Sequence, residues 1–166
     1  MLRKMILDGL KTGLALAATT TAAIMLFGKR EKGSPWAAIN AVTHLVDGNG
    51  RHHPRSFSPR DSMIGIALNS AAMVAWGVLY EGVLAATGAR SNLATAGLAT
   101  AAIWTIDYQL LPARFSPGIE RVLSLGGVVS TYAVMGATLA ASRAWRSVPA
   151  LPPAPLDETR EEAWFV

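Results

Sequence analysis

The chain has 166 residues, 51% of them hydrophobic and only 16% charged, with a formal net charge of +4. Soluble domains average about 25% charged residues, so this composition excludes a disordered chain, a nucleic-acid-binding tail protein and a charge-rich coiled coil. Cysteine is absent, which removes disulfides, thiolate metal sites and cysteine nucleophiles.

The apolar residues gather into four long stretches, and the expected fold class is an all-α membrane protein. It is read as a four transmembrane helix bundle with one short interfacial or re-entrant helix, spanning residues 1–148. The first span covers about 6–27, with an uncharged core from Thr12 to Gly28; about 20 helical residues cross a hydrocarbon layer of about 30 Å. Arg3 and Lys4 also suit the start of a cleaved signal. The stretch ends Leu26-Phe27-Gly28-Lys29-Arg30 without an Ala-x-Ala-like site, however, so an uncleaved span is expected.

A short helix follows at 35–46, too short to cross. Spacings of four, four and three place Trp36, Asn40, His44 and Asp47 on one face. Ala37, Ala41 and Leu45 are expected to pack on the bundle end, leaving Trp36, Asn40 and His44 facing a shared polar pocket near Asp107. Asp47-Gly48-Asn49-Gly50 ends the segment.

The remaining spans are read at 61–84, 91–110 and 118–142. Pro112 stops the third, and Arg143, Trp145 and Arg146 anchor the fourth at the interface. Ser34-Pro35, Ser58-Pro59 and Ser116-Pro117 mark helix starts, with serine capping and proline supplying a preset φ. Asp61 then completes something close to a capping box. The tail at 149–166 is proline-rich, then acidic, and reads as solvated, although Trp164, Phe165 and Val166 suit docking.

Small residues recur every four positions: Gly13, Ala17 and Thr21; Gly97 and Ala101; Gly126 and Ser130; Ala133, Ala137 and Ala141. In lipid such stripes mark packing faces. Orientation is undecided, because the two sides carry seven and eight basic residues.

Intramembrane charge points to function, and away from the first turns of the spans Glu81 and Asp107 are the two candidates. They fall near opposite membrane faces, which excludes a two-carboxylate mechanism. Glu81 is expected to form a structural ion pair with Lys11. Asp107, flanked by Trp104 and Tyr108, joins Trp36, Asn40 and His44 in the candidate ligand or partner pocket. His44, His52, His53 and Asp47 match no zinc or copper spacing, so no metal is expected. Asn69 reads as interhelical glue. Neither a phosphate loop nor a Ser-His-acid set is present; no catalytic residue and no cofactor is expected, and the reading leans away from an enzyme.

Four segments carry a resemblance: Pro35-Trp36-Ala37-Ala38-Ile39-Asn40-Ala41-Val42-Thr43-His44, Ala75-Trp76-Gly77-Val78-Leu79-Tyr80-Glu81, Asp107-Tyr108 leading to Pro112, and Ser116-Pro117-Gly118-Ile119-Glu120. Together they resemble small four-span bacterial inner-membrane proteins and are loosely similar to the YagU-like group. The resemblance implies a multi-pass protein of the bacterial inner (cytoplasmic) membrane and transfers no catalytic role. The expected function is that of an accessory or interaction protein binding another membrane protein or lipid. The alternative is a small transporter or channel acting as an oligomer. Expected partners are membrane lipid, another integral membrane protein or a second copy of the chain, and no nucleic acid.

Overall fold

A computed structural model describes residues 2–48 and 52–146, and among these the regular structure is helical, with no strand. The tail at 149–166 and the side chains of Arg143, Trp145 and Arg146 lie outside the described residues. Helix α1 (Leu2–Lys32) is followed by two short pieces, α2 (Trp36–Ala41) and α3 (His44–Asp47). Then come α4 (Pro59–Thr87), α5 (Leu93–Thr105), a π-helical turn at Ile106–Leu110, a 3-10 turn at Ile119–Arg121 and α6 (Leu125–Arg146). Three helices, Leu2–Lys32, Pro59–Thr87 and Leu125–Ser142, are long and apolar enough to cross a membrane.

The helix starts follow local chemistry. Ser58 Oγ accepts the Asp61 amide at 3.3 Å with Pro59 in the first turn, while the Ser58 amide donates to Ser62 Oγ at 3.0 Å. Ser62 therefore takes the reciprocal position expected of Asp61, whose carboxylate instead accepts from Ser58 Oγ. Asn92 and Thr95 build a complete capping box at the head of α5. At α6 the cap comes from a distant residue. Glu31, at the end of α1, accepts from the Ser124 amide at 2.6 Å and from Ser124 Oγ at 2.9 Å, placing negative charge on a helix N-terminus.

Two expected boundaries are corrected. Ser116-Pro117 does not open the last long helix: Gly118 turns the chain at φ 87°, a 3-10 turn follows, and α6 begins only at Leu125. The expected helix at 35–46 is broken at Val42 and Thr43 into two pieces.

Helix α1 is the centre of the bundle, packed against both α4 and α6, with α2 lying over α1 and α4 at one end. Glycine permits the closest approach. A Cβ on Gly13 would lie 2.5 Å from Val74 Cα, one on Gly9 2.8 Å from Val78 Cα, and one on Gly77 would collide with the Gly13 backbone. Leu16, Ile24, Met73, Val128, Met135 and Leu139 complete the core. Asn69 Nδ2 donates to Thr21 Oγ1 at 2.9 Å and Thr20 Oγ1 at 3.2 Å, tying α4 to α1. Helix α5 is peripheral; it packs on α6 and buries only Ala96 and Ile103.

Candidate functional site

The six residues expected to share one pocket fall into two separate groups. Trp36, Asn40 and His44 hold the 52–58 segment and the 3-10 turn in place. Asn40 is fully buried, donates to the Pro54 and Ser56 carbonyls at 2.7 and 2.9 Å, and accepts from Ser62 Oγ at 2.8 Å. Trp36 packs edge-on against Phe57, their ring centres 4.9 Å apart. His44 is fully buried; its Nδ1 donates to the Ala41 carbonyl at 3.0 Å, and its ring lies against Gly118, where a Cβ would sit 2.6 Å away. His44 Nε2 has no hydrogen-bond partner. The Asn40 amide and His44 Nδ1 are thus engaged by backbone and loop contacts, none of them with Asp107.

The nearby charges form a second knot. Arg60 bonds both oxygens of Asp47 at 2.6 and 2.9 Å and reaches Asp61 at 2.9 Å. Ligand atoms of Asp47, His53 and Asp61 lie within 4.8 Å of one another, whereas His44 and His52 are not part of that group. Thr43 Oγ1 is 2.8 Å from His53 Nδ1. An ion placed there would compete with the Arg60 guanidinium for both carboxylates, so the group reads first as an ion-pair knot closing the loop on α4.

Trp104, Asp107 and Tyr108 do come together, and a residue missed in sequence joins them. Tyr132 of α6 donates its hydroxyl to Asp107 Oδ2 at 2.6 Å. Its ring centre lies 4.8 Å from that of Trp104 and 5.9 Å from that of Tyr108, and the Trp104 and Tyr108 rings are 4.7 Å apart. The π-helical turn, closed by the Leu111 amide on the Ile106 carbonyl at 2.9 Å, sets where Asp107 and Tyr108 project. Tyr108 donates to Glu120 at 3.4 Å, and Ser116 Oγ donates to the same carboxylate at 2.6 Å. Tyr132 had a sequence signal: it is the single aromatic ring inside an otherwise aliphatic span, in register with buried Val128, Met135 and Leu139.

Asp107 borders a cavity of about 110 Å³ between the helices. Val42 and Leu45 contribute to its wall, so the short helical segment meets this space with carbon rather than with its polar face. Two wider grooves flank α5. One, of about 490 Å³, lies between α5 and α6 and is lined by Gly97, Ala101, Ala133 and Ala137. The other, of about 370 Å³, lies between α5 and α4 and is lined by Leu79, Val83, Leu98 and Ala102.

At the other end of the bundle, Glu81 is buried and accepts from Thr12 Oγ1 at 2.9 Å. Lys11, the partner expected for Glu81, is exposed. One helical residue is a turn of about 100°, which carries Lys11 outward and Thr12 onto α4. No protein-family model, curated protein or solved structure matches the chain.

Proposed function

We propose that the protein is a four-span accessory or interaction protein of the bacterial inner membrane, and that a partner helix or lipid lies along α5. The observation that carries this reading is the open α5–α6 groove. Its lining of Gly97, Ala101, Ala133 and Ala137 is the kind of surface on which membrane helices approach closely, yet here it is unfilled. Leu93 and Leu98 project from the same helix at 79% and 74% exposure, which suits lipid or protein contact and not water. In support of a fourth crossing, α5 and the π-helical turn run without a break from Leu93 to Leu110. Their course is antiparallel to α6, with Ser91 bonded to the Leu139 carbonyl at one end and Asp107 to Tyr132 at the other.

Single cysteines at Ala89 and Ala113, in a chain without native cysteine, test the crossing. An impermeant maleimide should label them from opposite membrane faces; labelling from one face would remove the fourth span. Gentle solubilisation and mass analysis then test the function, with a stoichiometric protein or lipid expected to co-purify. The second reading is a small transporter or channel acting as an oligomer, favoured by the carboxylate-bordered cavity inside the bundle. It calls for a homo-oligomer with solute flux in vesicles.

A further inference from the structure

The Asp107 cavity has a chemistry distinct from that of the α5 grooves. Asp107 is 8% exposed, and its Oδ2 accepts from the Tyr132 hydroxyl at 2.6 Å. No Lys, Arg or His bridges it among the described residues. The other charged group that acts on Asp107 electrostatically is also an acid, Glu120, itself 4.0 Å from Arg121 Nε. A buried carboxylate that no basic side chain bridges is neutralised by a proton or by a cation that enters the cavity beside it.

The rest of the wall narrows the class of cation. Beside Asp107 the polar side chains on the wall are Asn69 and Tyr132, and the other lining side chains are apolar, including Trp76, Phe115 and Met73. Sodium, calcium or magnesium would lack oxygen ligands there, since calcium takes about six to eight and magnesium about six. A diffuse charge clothed in methyl groups suits the same wall, because ring faces attract such cations and apolar walls do not repel their surface. A cavity of about 150 Å³ admits benzene. The present volume of about 110 Å³ therefore suits a head of roughly five heavy atoms.

We propose that this cavity binds a small alkylammonium group, with Asp107 as counter-ion and the Trp76, Phe115 and Tyr132 rings as its cage. The group can arrive as a free amine or as the head of a choline lipid. The test is calorimetric titration of tetramethylammonium chloride into the full-length protein, held in nanodiscs of phosphatidylglycerol alone, with sodium chloride as the ionic control. Saturable one-to-one binding is expected for tetramethylammonium and none for sodium. Asp107→Asn should weaken binding at least tenfold while melting at a similar temperature. Should that variant fail to fold, Trp76→Leu, which keeps the carboxylate, should weaken binding about threefold to thirtyfold. Repeating the titration in phosphatidylcholine nanodiscs identifies the source. A lower apparent affinity there assigns the site to a lipid head, and an unchanged one to a free amine. Absence of saturable binding in phosphatidylglycerol, equal heat from sodium, or full binding by Asp107→Asn would overturn the proposal.

Discussion

Small residues line both the α1–α4 seam and the α5–α6 groove, but the two regions use them differently. In the seam, Gly9, Gly13 and Gly77 meet opposing backbone so closely that none has room for a Cβ. In the groove, Gly97 has nothing within 4 Å of a built Cβ, and Ala101, Ala133 and Ala137 are exposed. Within lipid, helices gain from van der Waals packing and hydrogen bonds and not from the hydrophobic effect. A closed glycine seam has already collected that gain. On the proposed reading, an open one leaves it for a partner.

The largest expected effect is on the closed side. Gly13→Ala and Gly77→Ala should each cost about 1–3 kcal/mol by overpacking, measured by reversible unfolding in mixed micelles. Because the two glycines touch, the double variant should depart from additivity. Additive small losses would mean that the seam yields to an added methyl group. On the open side, Gly97→Leu should leave stability within about 1 kcal/mol, the scale of glycine's own helix cost. The same change should release a co-purifying partner. Retention of the partner would move the binding surface elsewhere.

Polar contacts sharpen the comparison at smaller magnitude. Tyr132→Phe removes the Asp107 hydrogen bond, and an interhelical bond in membranes averages about 0.6 kcal/mol with a maximum near 1.7. A loss within that range is expected, together with looser docking of α5 on α6. Smaller again is the link across the seam. Thr12→Val and Glu81→Gln should couple in a double-mutant cycle, whereas Lys11→Met and Glu81→Gln should be additive. Coupling to Lys11 instead would restore the ion pair expected from sequence.

The helical fold was legible, as were helices long and apolar enough to cross a membrane, because length and apolarity are read directly from Leu2–Lys32, Pro59–Thr87 and Leu125–Ser142. The Ser58 cap was legible from spacing. Asp107 stood out as a charge in an apolar run, but its partner Tyr132, 25 positions away, depends on how α5 crosses α6. The destination of Asn40 was hidden for a related reason. The carbonyls it binds belong to Pro54 and Ser56, and residue type says nothing of where their backbone passes. Gly118 illustrates a competing local signal: Ser116-Pro117 reads as a helix start, while a positive-φ glycine pressed against His44 turns the chain instead. The small-residue stripes were visible as packing faces, but not which of them would remain open.

The most direct test compares the open groove with an ordinary lipid-facing surface. A photoreactive side chain at Ala101, in the groove, and another at Ala71, exposed on α4, are activated in native membranes. The expected result is one dominant adduct of defined mass at position 101, protein or lipid, and only dispersed lipid adducts at position 71. The same adducts at both positions would show that the α5–α6 groove is no more than bilayer-facing surface, contradicting its assignment as the partner site.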